Sequence, residues 1–155
     1  MTPAQTATVK AFVIANMSAH VAKSEWSQIA ELLSTPWATI TKAWSNSVSP
    51  DVMDDAPDYT AFDAISAGKR DSWGYLIARN RDFNKNKVRK WVTDIWGNAT
   101  AGSSSEAILL AGTVNATGAE VAIGGSTKTT GTVSAIDRNY IGGMTVQEVN
   151  LMMSS

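Results

Sequence analysis

A single histidine, His20, is the only imidazole in a chain of 155 residues, and there is no cysteine. Catalysis by an imidazole needs a group to deprotonate on one side and an orienting partner on the other, and only Glu25 and Glu31 fall loosely near His20 in the sequence. Towards the end of an N-terminal helix a protonated His20 also suits the negative end of the helix dipole, so it reads as a structural or solvated histidine. Without cysteine the chain has no disulfide framework, no thiolate metal site and no thiol nucleophile. The carboxylates Asp51, Asp54, Asp55, Asp58 and Asp63 do not follow the spacing of a calcium loop, and the glycine at its sharp turn is missing. Neither a G-x-x-x-x-G-K-[ST] phosphate loop nor a G-x-S-x-G nucleophile elbow occurs. The expectation is a non-enzymatic protein without catalytic, cofactor-binding or metal-ligating residues, acting through surfaces that contact other protein chains.

Those surfaces have candidates. Arg79, Arg81, Lys85, Lys87, Arg89 and Lys90 place six of the thirteen basic residues within a short run, opposed only by Asp82. Such a run is either a phosphate- or partner-docking patch or the wet face of a helix whose long side chains cover apolar neighbours. Upstream, Asp51, Asp54, Asp55 and Asp58 form an acidic stretch that reads as a solvated surface or as a dock for a basic neighbour. Acid on one segment and base on another suit head-to-tail contacts between identical subunits. The net charge of −1 argues against a dedicated nucleic-acid binder, which carries a large positive excess to release counterions from phosphates; binding of nucleic acid by the basic run stays open as an alternative.

The elements that must position these groups follow from periodicity. All six tryptophans precede Gly97, and Tyr140 is the only aromatic beyond it. Large aromatics dominate burial, so the compact body belongs to the first two thirds. Thr2, Pro3 and Gln5 make a capping box for a helix over about Pro3 to His20, with Val9, Phe12, Val13 and Met17 on one face. Ser24 is a candidate cap for a helix burying Trp26, Ile29, Leu32 and Leu33, which stops before Pro36. A third helix is expected around Trp37, Ile40 and Trp44, then a proline-punctuated acidic connector with short helical turns. Trp73, Leu76 and Ile77 mark a helix ending near Asn80. Another runs from Asn84 to Gly97 with Val88, Trp91, Val92 and Ile95 inside.

From Ser103 to about Ile123 an alanine-rich helix either breaks near Gly112 or uses its glycines for close packing. The β-branched run from Thr127 to Ile141 predicts a strand or hairpin. Thr145 and Glu148 cap a short terminal helix. The fold class is therefore mainly α: a helical body over about 1–123, with a small C-terminal β arm and a short helix. Its divisions are 1–97 (a Trp-rich body), 98–123 (a helix packed on it) and 124–155 (a Gly/Thr-rich arm). An isolated strand pair is marginal in water, so the arm, with Val133, Ile136, Tyr140 and Ile141, is expected to pair with something else, another copy included. No apolar run approaches the ~20 residues of a membrane span and the first residues lack the pattern of a signal peptide, which predicts a protein made and used without crossing a membrane.

From about Asp58 onward the chain resembles a family of small virion proteins of tailed bacteriophages and prophages. The residues that carry the resemblance are Phe62-Asp63-Ala64-Ile65-Ser66-Ala67-Gly68-Lys69-Arg70-Asp71, Lys87-Val88-Arg89 with Asp94-Ile95-Trp96, Ala107-Ile108-Leu109, Thr129-Thr130-Gly131 and Thr145-Val146-Gln147-Glu148-Val149. It implies a structural part of a phage particle, without implying which part. The expectation drawn from the whole reading is a protein made in the host bacterial cytoplasm and assembled with copies of itself and other virion proteins at the head–tail junction or tail. A capsid decoration protein is the close variant, and a nucleic-acid-binding accessory protein the rival. The resemblance brings no catalytic residues with it.

Overall fold

The structure, a computed structural model, describes residues 1–38, 41–140 and 142–155. In chain order its elements are α1 (Pro3–Asn16), α2 (Ser18–Ala22), α3 (Trp26–Ser34), β1 (Lys42–Trp44), α4 (Pro50–Asp54), a 3-10 helix (Tyr59–Ala64), α5 (Ala67–Ile77), α6 (Asn86–Trp96), α7 (Ser104–Ala111), β2 (Thr113–Asn115), α8 (Gly118–Ile123), β3 (Thr127–Thr130), β4 (Val133–Ile136) and α9 (Val146–Ser154). The protein is helix-rich with one small sheet, in the strand order β2-β1-β4-β3. The chain builds two compact units. The first unit takes Met1–Ala43, Asn115–Ser126 and Arg138–Ser155, and the second takes Trp44–Val114 and Thr127–Asp137. These interleaved segments do not follow the composition breaks at 97 and 124. The Trp-rich stretch is shared between both units, and the C-terminal stretch gives its hairpin to one and its last helix to the other.

In the first unit, Val9 and Val13 of α1 meet Ile29, Ala30 and Leu33 of α3, Ala119 of α8, and Val149 and Met152 of α9 in one core. The capping boxes at Thr2/Gln5, Thr117/Glu120 and Thr145/Glu148 all form, and each satisfies backbone N–H groups that a helix start leaves without partners. The first helix stops at Asn16, short of His20, because Met17 leaves helical geometry at φ −130° before α2 begins. Ser24 does not cap α3; it adopts φ 55°, and Glu25 takes the capping position. The helix expected around Trp37 and Trp44 is also absent from the described residues. Trp37 N donates to Ala116 O, Ala116 N donates to Thr41 O, and Pro36 pairs antiparallel with Thr117. Backbone pairing with a distant segment thus holds Pro36, Trp37 and Thr41 against the local helical pattern; Ile40 lies outside the described residues.

In the second unit, Trp44, Trp73, Leu76, Phe83, Val92, Ile95, Ile108 and Leu109 form the other core. The acidic connector is short helical turns, as its prolines predict. Helix α6 begins at Asn86, later than expected, because Asp82 Oδ1 first accepts Asn84 N at 3.0 Å and holds a turn there. It ends at Gly97, whose φ of 90° suits a helix-terminating glycine. The alanine-rich stretch breaks at Gly112: a Cβ there would sit 2.1 Å from Cδ1 of the buried Phe83 ring, so the ring occupies the space that a side chain at 112 needs.

The β3–β4 hairpin belongs to this core. Val133 and Ala135 are buried and Ser134 is exposed, the alternation of a strand with one wet face. Thr130 pairs with Val133, leaving a two-residue loop in which φ is positive at Gly131 (59°) but not at Thr132, the pattern of a type II′ turn. Glu106 Oε1 accepts Thr132 Oγ1 at 2.7 Å and its Oε2 accepts Gly102 N at 2.6 Å. Those two donors, the threonine hydroxyl first, hold the Glu106 carboxyl below its ordinary pKa. The arm expected to need an outside partner is therefore docked on the body of its own chain.

Candidate interaction surface

The basic run divides into buried and exposed members, and the division follows from what each side chain touches. Helix α5 ends with carbonyls that lack intrahelical donors. Arg81 supplies donors: its Nε bonds Leu76 O at 2.5 Å and an Nη bonds Tyr75 O. The guanidinium sits 5.2 Å from the Trp91 ring centre and 5.5 Å from that of Tyr75, close enough for cation–π attraction to both. Burial, then the nearby Arg79 charge, lowers the Arg81 pKa. Arg89 is 3% exposed; it donates to Phe83 O at 2.5 Å and to Thr130 Oγ1 at 3.3 Å, and lies 4.6 Å over the Trp44 ring. Burial lowers its pKa also, against the opposing pull of Asp137 and Asp82. Arg81 and Arg89, read from the sequence as members of a surface patch, are internal ties of the second unit.

Among the others, Lys90 pairs with Asp94 at 2.7 Å and Lys85 approaches Asp82 at 3.5 Å. Arg79 and Lys87 are exposed, and among the described residues no carboxylate lies within 4 Å of either. Both border a cleft of about 410 Å³ lined further by Tyr75, Arg81, Val88, Trp91 and Asp94. Tyr75 is 62% exposed, and its ring lies 5.8 Å from that of Trp91. The cleft thus presents an apolar floor of two rings and Val88, an arginine clamped by backbone, and two cations without counter-ions.

The acidic residues also separate. Asp58 turns back on its own segment, accepting Thr60 Oγ1 at 2.7 Å and Thr60 N at 2.9 Å; these bonds lower its pKa, the hydroxyl more than the amide. Asp54 accepts from the Tyr59 hydroxyl. Asp51 and Asp55 are exposed, and among the described residues neither has a cation within 4 Å. Between them Val52 is 46% exposed, while Met53 is fully buried and anchors the turn.

The arm residues expected to make contacts are largely used internally. Val133 is in the second core and Ile136 is half-buried. Tyr140 donates its hydroxyl to Gly143 O at 2.8 Å in the first unit. Ile141 lies outside the described residues. His20 Nδ1 stands 2.7 Å from Glu25 Oε2, and among the described residues no group of three His, Asp or Glu side chains could hold a metal ion. No helix among them is long and apolar enough to cross a membrane.

The sequence did not single out Tyr75 or Val52. Tyr75 stands one position off the inward set Trp73, Leu76 and Ile77, and a large ring on the wet face of a helix is the signal that finds it. Trp91 was assigned wholly to the core; its ring is half-buried and forms part of the cleft floor. Comparison with protein-family models, curated proteins and solved structures finds no match for this chain.

Proposed function

We propose that this chain is a non-enzymatic structural component of a tailed-phage virion that assembles through protein–protein contacts at the head–tail junction or tail. The observation that carries the assembly role is the cleft of the second unit, where Tyr75, Trp91 and Arg81 converge beside Arg79 and Lys87, cations with no carboxylate within 4 Å among the described residues. Tyr, Trp and Arg are the residues enriched where protein interfaces concentrate their binding energy. The resemblance of the chain from about Asp58 onward supplies the kind of assembly. A decoration protein on the head lattice is the variant within the same class. The same cleft favours one rival, a nucleic-acid-binding accessory protein, because exposed rings with flanking cations also stack bases and hold phosphates.

Particles released by the bacterium that encodes the chain provide the test, after density-gradient purification and quantitative mass spectrometry. The chain should co-migrate with intact particles at a fixed ratio to the major head or tail protein, and persist through a high-salt wash. Absence from every particle fraction sinks the proposal. Recovery with free nucleic acid, lost steeply as salt rises, supports the rival instead.

A further inference from the structure

Building on the assembly role proposed above, we infer that the Tyr75–Trp91 cleft receives the acidic turn of a second copy of this chain, the segment Asp51–Asp55. The two surfaces match in charge and in polarity. The cleft offers Arg79 and Lys87, which among the described residues have no carboxylate within 4 Å, around the apolar floor of Tyr75, Val88 and Trp91, while Asp94 at its border is held by Lys90. The turn offers Asp51 and Asp55, which among the described residues have no cation within 4 Å, beside the exposed Val52.

Spacing makes the turn one face. Residues four apart in a helix stand on one side, about 5–6 Å between Cβ atoms, so Asp51 and Asp55 flank one surface, and Val52, three residues before Asp55, lies on it. Pro50 at the first helical position and the buried Met53 fix that turn on its unit. A stiff, preorganised turn loses little freedom on docking. Val52 covers the ring floor, and the two carboxylates reach the cations at its rim. Both surfaces belong to the second unit, so every copy carries one of each. Contacts of this type close a reciprocal pair or propagate head to tail into a ring or array.

Charge reversal and its restoration test the contact. Self-association is measured by sedimentation velocity over a wide concentration series for the wild type, Arg79→Glu/Lys87→Glu, Asp51→Lys/Asp55→Lys, the fourfold variant combining both, and Tyr75→Ser. All these positions are exposed, so circular dichroism should match the wild type; the charge variants should also keep its melting temperature, while Tyr75→Ser gives up the ring beside Arg81 and melts slightly lower, and each variant is scored only once it is verified as folded. The wild type should associate reversibly. Either double reversal should weaken association about tenfold or more, in line with interfacial charge pairs, Tyr75→Ser by at least as much, and the fourfold variant should return to within about threefold of the wild type. A wild type that stays monomeric throughout, or double reversals that associate like the wild type, overturns the inference. So does a folded fourfold variant that fails to recover. An oligonucleotide that binds the wild type and not Tyr75→Ser puts a different occupant in the cleft and overturns it too. A chain found in particles yet monomeric alone loses this contact and keeps its place in the virion; a chain that self-associates but is absent from particles does the reverse.

Discussion

Glu120→Ala is expected to destabilise the first unit by about 3–5 kcal/mol, the range for removing one partner of a buried ion pair. The Glu120 side chain is 1% exposed and faces Arg138. Its Oε1 accepts Arg138 Nε at 2.9 Å, Arg138 Nη2 at 2.8 Å and Gly142 N at 3.2 Å, while Oε2 accepts Thr117 N at 3.0 Å. One carboxylate therefore closes the start of α8 and holds residues 138 and 142. Alanine leaves a largely buried guanidinium without this counter-ion and two backbone N–H groups without these acceptors, and an unmet buried donor costs roughly 1–3 kcal/mol. Urea unfolding followed by circular dichroism measures the effect. Glu120→Gln retains one acceptor oxygen but neither the charge nor the second acceptor, and should fall between alanine and wild type. A loss under about 1 kcal/mol for alanine would mean that solvent reaches Arg138 and that the pair is in effect a surface one.

The second large effect belongs to Arg89. Arg89→Met keeps an unbranched apolar stem but removes the donor to Phe83 O and the cation over Trp44. An unsatisfied buried carbonyl costs about 1–3 kcal/mol and a desolvated cation–π contact contributes about 2 kcal/mol; with partial compensation from the buried methionine, a net loss of about 2–4 kcal/mol in the second unit is expected. Arg89→Lys should restore little of it, because an ammonium cannot span Phe83 O and Thr130 Oγ1 while keeping its charge over the Trp44 ring. Lys87→Met, two positions away but exposed, should stay within about 0.5 kcal/mol. Denaturation midpoints compare the three at an unchanged slope. Equal effects at 87 and 89 would erase the distinction between internal tie and free surface cation on which the cleft depends.

Much of the local structure was legible because it rests on local chemistry. The Thr2 and Thr145 caps each need only a side chain and a backbone a few residues apart, whereas the Thr117 cap lies inside the helix expected to run on to about Ile123. Gly97 ended its helix where a glycine suits the backbone, and the β-branched run from Thr127 carried the hairpin. What escaped depends on partners distant in sequence. The tryptophans form parts of two cores rather than one, since Trp26 and Trp37 pack in the first unit while Trp44, Trp73, Trp91 and Trp96 pack in the second. Trp44 left its expected helix for a strand, and composition marked 124–155 as an arm although its residues fill both cores. The basic run looked uniform because Arg81 and Arg89 reveal their burial only through the carbonyls of Tyr75, Leu76 and Phe83 that they satisfy. Those same ties leave Arg79 and Lys87 as its unpaired cations among the described residues, so half of the candidate site was in the sequence and its aromatic floor was not.

Complementation of a deletion tests most directly whether the chain works in particle assembly through the Tyr75 cleft. The gene is deleted from its source genome, the wild type or Tyr75→Ser is supplied in trans, and any particles released are counted and imaged by electron microscopy. Deletion should stop assembly at an incomplete particle, the wild type should restore it, and Tyr75→Ser, folded and equally abundant, should not. Full restoration by Tyr75→Ser, or normal particles from the deletion itself, would contradict it.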